Sequence, residues 1–463
     1  MDAPIPVHIG LVGHIDHGKT ELARALSEKV FTAGLDRHPQ AKKRGITIDL
    51  GFTMFNLGNF LVTLVDAPGH ADLIRSVVAG ANIIDAAILV VAADEGPKIQ
   101  TGEHIVVLKS MGITNICVAL TKCDLVGEKS QKKVASQMRD IFKSIGMKSI
   151  DIVPLSAKTG YGLEALREVL LNTLKPKTRL VDGSFLLPID HAFSVRGHGT
   201  VATGTILSGS ISLGDSIELM PQGTTTKLRA IQTFGVGRES ARAGDRVGFN
   251  IPDIKSEIIS RGNYLCSPGS MKKTSHLVVR IERNALYKGR ISKEMTVSAT
   301  VGMPTVTAKL IPFVVETEKN LIIHESTSSI FDALLLLQHE IAVQHETKVL
   351  LLRTDLPPNS MRIIGSGYVI NFDGDIPLHK KRVRYGHITR IREDDVLVEG
   401  LVSNKEAALK LRDSPVRTTQ DISGVIKMPF GTRGVLSVVF DQEVNLGEKV
   451  IFEQFVEVKI SND

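Results

Sequence analysis

The chain has 463 residues, of which 43% are hydrophobic and 23% are charged, and its formal net charge is +6. These proportions are typical of globular proteins, and the length predicts about three domains. No apolar run is long enough to cross a bilayer, and no secretory signal opens the sequence, so we expect a cytoplasmic protein without a membrane segment. The three cysteines lack metal-ligand spacing, and we therefore expect neither a disulfide framework nor a zinc knuckle.

Short apolar runs alternate with helical patterns in the amino-terminal part of the chain. The segment after the first run predicts a helix with Leu22, Leu26 and Val30 on one face, and Gly58-Asn59 indicates a β-hairpin. Strands are predicted at Val7–Val12, Gly51–Leu57, Phe60–Asp66, Ala86–Ala93, Asn115–Thr121 and Asp151–Leu155. The alternation predicts an α/β domain with a mostly parallel, doubly wound sheet, helices on both faces and an antiparallel edge.

After Lys175-Pro176-Lys177 the pattern changes to short β-branched runs separated by turn residues, which predicts three β-barrel-type domains. The basic run His379–Arg384 follows the turn-forming residues Asp373–Asp375, and we interpret it as a solvated linker. The predicted domains are 1–178, 179–270, 271–373 and 374–463.

Gly13-His-Ile-Asp-His-Gly-Lys-Thr20 fits the Walker A pattern of a phosphate-binding loop, with a predicted strand before it and a helix after it. Glycines let backbone N–H groups face phosphate oxygens, and the helix amino terminus adds positive potential. We expect Lys19 to contact the β and γ phosphates of a nucleoside triphosphate and the Thr20 hydroxyl to bind Mg²⁺. The first domain is therefore predicted to be a P-loop domain.

Two later segments complete a nucleotide-dependent switch. Thr47 follows the polar segment Thr32–Lys43, and we expect it to bind Mg²⁺ only when the γ-phosphate is present. Asp66 ends an apolar strand, where its carboxylate can meet the water shell of the metal. Gly69 can offer its N–H to the γ-phosphate, and His70 can orient the attacking water.

The base specificity is predicted from Thr121-Lys-Cys-Asp124 at another strand end. The Asp124 carboxylate can accept hydrogen bonds from N1–H and the exocyclic amine of guanine, which adenine does not supply. The stem of Lys122 can lie over the base. Backbone N–H groups are expected to close the base pocket at three consecutive residues, Ser156, Ala157 and Lys158. Together these motifs predict a GTPase that uses GTP/GDP and Mg²⁺.

The motifs Gly13–Thr20, Arg44–Asp49 and Asp66–His70 resemble those of the EF-Tu class of translational GTPases, and Gly199–Gly204 resembles the first β-barrel of that class. The resemblance implies that Ile15 and Ile46 form an apolar gate beside His70. It also implies that the nucleotide contacts include the loop residues Gly13, Asp16, His17 and Gly18. In this class the base motif usually begins with asparagine, whose amide ties it to the phosphate loop. Here Thr121 replaces the asparagine, and we expect its hydroxyl to supply part of that bonding.

Within the class, several segments are similar to the selenocysteine-specific elongation factors of archaeal and eukaryotic type, as is the presence of a fourth domain. The segments are Lys43–Phe52, Leu187–Phe193, Gly204–Asp215, Ala243–Gly248 and Leu356–Pro358. The resemblance implies that Asp190, His191 and Arg246 form the aminoacyl pocket. It implies selenocysteinyl-tRNA and the ribosome as partners, with a recoding hairpin in mRNA or its adaptor protein contacted by a monomeric factor.

Three other functions stay open at this point. The gamma subunit of the archaeal/eukaryotic initiator-tRNA-binding factor commonly carries a cysteine zinc knuckle, which the sequence lacks, and a general elongation factor ends after three domains. A GTPase scaffold or assembly protein would bind no aminoacyl-tRNA. Without the resemblance, Asp190 and His191 would be read as ordinary polar residues at a strand end.

Overall fold

The computed structural model describes residues 4–27, 29–31, 51–66, 84–147, 149–196, 199–233, 235–357, 360–374, 376–431 and 433–458. The chain forms two compact units, which are Met1–Ile311 with Glu325–Asp373, and Pro312–His324 with Gly374–Asp463. The domain boundaries predicted at residues 178, 270 and 373 stay predictions.

The first unit begins with an α/β sheet. Its described strands are β1 (Ile5–Gly13), β2 (Lys29–Phe31), β3 (Gly51–Leu57), β4 (Phe60–Asp66), β5 (Ala86–Ala92), β6 (Ile116–Thr121) and β7 (Asp151–Pro154). They lie in the order β2-β3-β4-β1-β5-β6-β7. The pairs from β4 through β1, β5 and β6 to β7 are parallel, whereas β2–β3 and β3–β4 are antiparallel. The mostly parallel sheet, its antiparallel edge and the hairpin at Gly58-Asn59 are confirmed.

Helices cover both faces of this sheet. They are α1 (Lys19–Leu26), α2 (Ile99–Ser110), α3 (Glu128–Ser144) and α4 (Leu163–Thr173). Every residue of β5 is buried, and alternate residues enter different apolar cores, so Ile88 packs in the core with α1 and α4 while Leu89 packs in the core with α2 and α3. The helix predicted through Val30 was wrong at its end: Ser27 has an extended backbone after Leu26, and Val30 lies in β2. Among the helices described, none is long and apolar enough to cross a bilayer.

The next part of the first unit is a β domain. Its strands are β8 (Leu186–Val195), β9 (Gly199–Thr205), β10 (Ser210–Ser212), β11 (Ser216–Met220), β12 (Thr224–Lys227), β13 (Ala230–Thr233), β14 (Val236–Arg238), β15 (Ser240–Arg242), β16 (Arg246–Asn250) and β17 (Tyr264–Cys266). Eight of them lie in the order β12-β11-β17-β8-β9-β16-β13-β14, and β10 pairs with β15. The neighbouring strands β8, β9 and β16 carry Asp190, Thr203 and Arg246, respectively.

A closed barrel follows. The strands in this part of the chain are β18 (Lys272–Arg283), β19 (Ile291–Ser292), β20 (Met295–Val301), β21 (Thr305–Glu316), β22 (Lys319–Ile322), β23 (Glu325–Ser326), β24 (Ile330–Val343), β25 (Lys348–Leu352) and β26 (Ile363–Asn371). Six of them form the barrel, whereas β19 and β23 form a separate two-stranded sheet and β22 lies in the second unit. Successive neighbours are β20-β25-β26-β18-β24-β21, and β20 pairs again with β21, which closes the ring. Closure leaves no free edge among the described strands of this ring.

The second unit contains another ring of strands. Its remaining elements are β27 (Leu378–Ile391), β28 (Val396–Glu399), α5 (Lys405–Leu409), β29 (Pro415–Thr418), β30 (Ser423–Phe430), β31 (Val435–Phe440) and β32 (Lys449–Val458). The order is β27-β28-β31-β30-β29-β32, and β32 pairs with β27 from Leu378 to His387. The interpretation of His379–Arg384 as a linker was wrong, because these residues lie inside β27 and their backbone is paired throughout.

Candidate functional site

The phosphate loop connects β1 to α1, and two of its glycines adopt left-handed backbone angles. Gly13 has φ of 148° and Gly18 has φ of 84°. A Cβ atom on Gly13 would lie 2.3 Å from the carbonyl oxygen of Val90, so only glycine fits there. No side chain in the described chain caps α1, and the first N–H groups of a helix lack intrahelical partners. The loop therefore fits the phosphates of a nucleotide.

Lys19 is buried beneath this loop, with 6% of its surface exposed. Its Nζ donates to the carbonyl oxygens of His14, at 2.8 Å, and Gly13, at 3.2 Å. Thr20 follows in the first turn of α1 and is half-buried. Ile15 is half-buried in the loop, and Asp16 is exposed with φ of 60°. The ammonium group and the Thr20 hydroxyl thus lie at the same end of α1.

The His17 side chain is buried within the phosphate loop. Its Nδ1 lies 3.4 Å from the carbonyl oxygen of Val90, and its Nε2 has no hydrogen-bond partner in the described part of the chain. Burial, reinforced by neighbouring His14, lowers the pKa of His17 to about 4. The imidazole is therefore neutral at pH 7.

Thr121 ends β6 and makes the connection expected of it. Its Oγ1 lies 2.7 Å from the carbonyl oxygen of His17 and 3.3 Å from that of Val91. Lys122 has a left-handed backbone, with φ of 56°, and its Nζ lies 3.4 Å from Asp94. The next turn is a short 3-10 helix, Cys123–Leu125, on which Asp124 is exposed. Hence the base motif is attached to the phosphate loop, with its carboxylate accessible.

The third loop at this edge follows β7. The amide of Ser156 donates to the carbonyl oxygen of Tyr161 at 2.9 Å, so the expectation that this amide closes the base pocket was wrong. The amides of Ala157 and Lys158 make no hydrogen bond within the described chain. For the amides of Ala157 and Lys158, contact with the base stays a prediction.

The structure describes only one of the predicted switch residues, Asp66. Ile46, Thr47, Gly69 and His70 lie outside the described residues. Asp66 is described by its backbone alone, as the last residue of β4, opposite Gly51 of β3 and Leu11 of β1.

A second cluster of polar side chains lies on three neighbouring strands of the β8–β17 domain. The register between β8 and β9 shifts between Ile189 and His191, which makes Asp190 the extra residue of a bulge. Opposite Ile189 lies Gly204, where a Cβ atom would be 2.3 Å from the carbonyl oxygen of Pro188. The bulge and this close approach fix the position of Asp190.

Asp190 accepts three hydrogen bonds although only 4% of its surface is exposed. Thr203 Oγ1 donates to Oδ1 at 2.6 Å, His191 Nδ1 lies 3.2 Å from the same oxygen, and Arg246 Nη1 donates to Oδ2 at 2.6 Å. Burial alone raises the pKa of Asp190, but the Arg246 guanidinium and the bonds from His191 and Arg246 outweigh it and hold this pKa well below its usual range. The sequence thus identified three members of one contiguous cluster.

Arg246 has a second contact that the sequence did not predict. Its Cζ lies 3.3 Å from the ring centroid of Phe52, the second residue of β3. Its Nη2 is buried without a hydrogen-bond partner in the described part of the chain. Phe52 and Thr203 both lie in segments that carry the family resemblance, yet neither residue type signals a pocket by itself.

The chain is similar to known proteins over nearly its whole length. The elongation factor Tu GTP binding domain matches residues 6–176, and the C-terminal region of the 40S ribosome biogenesis proteins Tsr1 and BMS1 matches residues 225–460. The selenocysteine-specific elongation factor of Methanocaldococcus jannaschii is 40% identical over 462 residues, 97% of each chain. That of Mus musculus is 36% identical over 334 residues, covering 67% of this chain and 57% of the mouse protein.

The fold is also similar to that of solved structures. Translation elongation factor SelB from Methanococcus maripaludis in complex with the GTP analogue GppNHp has a TM-score of 0.79 at 36% identity, and covers 99% of this chain and 100% of its own. Its apo form has a TM-score of 0.76 at the same identity.

The fold, the nucleotide site and these matches define a translational GTPase of the EF-Tu class, with a GTP-binding domain followed by β-rich domains. Within that class the chain belongs to the family of selenocysteine-specific elongation factors.

Proposed function

We propose that the chain binds selenocysteinyl-tRNA in its GTP-bound form and delivers it to the ribosome. Recognition of a UGA codon then triggers hydrolysis of GTP to GDP and phosphate. The observation that supports this most directly is the buried Asp190–Arg246 pair with one Arg246 nitrogen left for a ligand.

The charge of selenocysteine explains why such a pair suits it. A thiol has a reference pKa of about 8.5, and a selenol is more acidic, so selenocysteine is an anion at neutral pH. Arg246 Nη2 can donate to this selenolate while Nη1 keeps its bond to Asp190. His191, whose side chain is 22% exposed, lies beside the pair and can contact the same group.

Serine, the competitor on the same tRNA, is neutral. Its hydroxyl therefore forms a weaker bond with Arg246 than the selenolate does. Both bonds involve the Arg246 cation, but only the selenolate adds an opposite charge, an extra attraction on the order of 1.4 kcal/mol. The difference corresponds to a preference of about 10-fold from this contact.

At the nucleotide site, bound GTP supplies the γ-phosphate whose loss ends the tRNA-binding state. Lys19 binds the phosphates, Asp124 recognises the guanine base, and the amides of Ala157 and Lys158 face it. A magnesium ion fits the oxygen donors of Thr20, Thr47 and Asp66, because Mg²⁺ prefers hard oxygen ligands. We assign to His70 the orientation of the attacking water, and to Ile15 and Ile46 the apolar gate beside it.

The carboxy-terminal residues are assigned a further binding partner. Residues 374–463 bind the long variable arm of the tRNA, the recoding hairpin of the mRNA or an adaptor protein. The factor acts as a monomer in the cytoplasm, where its ribosomal partner is found.

Filter binding with three charged tRNAs tests the proposal. The protein is loaded with GppNHp or GDP and titrated with selenocysteinyl-tRNA, seryl-tRNA of the same sequence and initiator tRNA. We expect tight retention of selenocysteinyl-tRNA with GppNHp, weaker retention of seryl-tRNA and little of either with GDP. Tight, GppNHp-dependent retention of initiator tRNA would contradict the proposal.

A further inference from the structure

We propose that Phe52 is a positioning residue for Arg246 and thereby sets the selenocysteine preference of the pocket. The inference rests on the aminoacyl role proposed above for Asp190 and Arg246. It adds a residue of the GTP-binding domain to a pocket whose other members all belong to the β8–β17 domain.

Two contacts hold the Arg246 guanidinium in different directions. Asp190 Oδ2 accepts from Nη1 at 2.6 Å, which fixes the group through one N–H bond. The ring of Phe52 lies against its face, 3.3 Å from ring centroid to Cζ. The salt bridge restrains one N–H group, and the ring restrains the plane of the guanidinium. Together the contacts determine where Nη2, which has no partner in the described chain, can donate.

The contact is both buried and aromatic in character. Phe52 is 2% exposed and Arg246 is 6% exposed, so water does not screen the attraction between the cation and the ring. Phe52 also packs in the apolar core with Val65, its partner across β3 and β4. Leucine would satisfy that core, but only an aromatic ring can stack on a guanidinium.

Phe52 lies close to one of the residues assigned to the metal site. It follows Gly51, and Gly51 is paired with Asp66, the residue assigned to the metal site. The aromatic ring proposed to orient Arg246 therefore lies one residue along β3 from the residue that pairs with Asp66.

Three variants separate positioning from packing. Phe52→Leu removes the ring and keeps an apolar side chain, whereas Phe52→Tyr keeps the ring. Phe55→Leu is the matched control, because Phe55 is buried in the same strand but contacts a different arginine. The ring centroid of Phe55 lies 5.0 Å from Cζ of Arg167. Each variant is loaded with GppNHp, and its Kd values for selenocysteinyl-tRNA and for seryl-tRNA of the same sequence are measured, together with its thermal midpoint.

We expect Phe52→Leu to reduce the selenocysteinyl-to-seryl preference on the order of 10-fold. Phe52→Tyr retains the preference, and Phe55→Leu retains it while losing a similar amount of thermal stability. An unchanged preference in Phe52→Leu, or an equal loss for both tRNAs, would show that Phe52 only fills the core. If Phe52→Leu fails to fold, Phe52→Met replaces it under the same criteria.

Arg246→Ala measured in parallel separates the two proposals. If it loses the preference while Phe52→Leu keeps it, Arg246 acts in the pocket without help from Phe52. If both keep the preference, the aminoacyl role of the Asp190–Arg246 pair is itself wrong.

Discussion

The hydroxyl of Thr121 donates a 2.7 Å hydrogen bond to the carbonyl oxygen of His17, a residue 104 positions earlier in the chain. This bond ties the strand that carries the predicted base motif to the predicted phosphate loop. A hydroxyl has a single proton, whereas the asparagine amide usual in this class has two. The bond therefore keeps the connection with one donor fewer.

Replacing Thr121 with valine tests this connection, because valine preserves the shape and removes the donor. Leaving a buried acceptor unsatisfied costs roughly 1–3 kcal/mol, so we expect the affinity for GDP to fall about 5- to 150-fold. Titration with a fluorescent GDP derivative measures this change. Thr121→Ser keeps the hydroxyl and serves as the control. Unchanged affinity in the valine variant would mean that the bond does not organise the nucleotide site.

Arg246→Ala probes the aminoacyl pocket. We expect its affinity for selenocysteinyl-tRNA to fall about 10-fold or more beyond any loss for seryl-tRNA, because only the selenolate uses the cation fully. Equilibrium binding with GppNHp bound supplies both constants. Arg238→Ala, at an exposed arginine of β14, is the control and should leave the ratio unchanged. Equal losses for both tRNAs would place Arg246 against RNA or in the fold instead.

Glu103 and Arg362 form a buried, bidentate ion pair that joins α2 to the barrel of β18–β26. The pairs Nε–Oε1 and Nη2–Oε2 are separated by 3.2 Å and 3.0 Å, and the side chains are only 1% and 5% exposed. Removing one partner leaves the other charge buried and unpaired, which costs about 3–5 kcal/mol. We therefore expect Glu103→Gln or Arg362→Met to lower the thermal midpoint strongly.

Replacing both partners with methionine should recover most of that loss, since no unpaired charge remains. The control is Arg280→Ala, which breaks an ion pair with Asp332 whose arginine is 53% exposed. Such an exposed pair contributes about 1 kcal/mol or less. Comparable midpoints for Glu103→Gln and Arg280→Ala would contradict the buried-pair interpretation.

His104 lies on α2, and burial, followed by the positive charge of Lys19, lowers its pKa to about 3. The histidine is neutral in the folded protein and takes up a proton near its ordinary pKa of about 6.5 once unfolded. Its contribution to stability is therefore fully present above pH ~6.5 and is lost as the pH falls toward the folded-state pKa.

The expected slope is up to about 1.4 kcal/mol per pH unit from this one group. His104→Leu should flatten the decline in thermal stability between pH 6.5 and pH 4.5, which is the upper part of the range between the unfolded pKa of 6.5 and the folded pKa of about 3. Differential scanning fluorimetry across this range gives the slopes. Identical slopes in the two proteins would show that His104 does not titrate on unfolding.

His70→Ala tests the assignment of the hydrolytic residue. Because the role assigned to this side chain is to orient water and not to bind the nucleotide, we expect GTP binding to be retained and ribosome-stimulated hydrolysis to be lost. Phosphate release in the presence and absence of ribosomes measures this. Normal turnover would refute the role.

Motifs and elements that depend on order along the chain could be predicted from the residues alone. The Gly13–Thr20 loop, the Thr121–Asp124 motif and the strand–helix alternation follow from local backbone requirements and from the 2.0 and 3.6 residue periods, so they are visible without coordinates. Where local signals were weak they misled: Val30 continued a helical period past an extended Ser27, and the charges of His379–Arg384 concealed a strand.

Contacts between distant residues could not be predicted in this way. Nothing in the sequence places Phe52 against Arg246 or Glu103 against Arg362, since each pair joins segments from different parts of the fold. The Ser156 amide, which the sequence predicts to contact the base, donates to the carbonyl oxygen of Tyr161. Hydrophobic periodicity records which face of an element is buried but carries no information about its partner. The partner is set by packing among all elements at once.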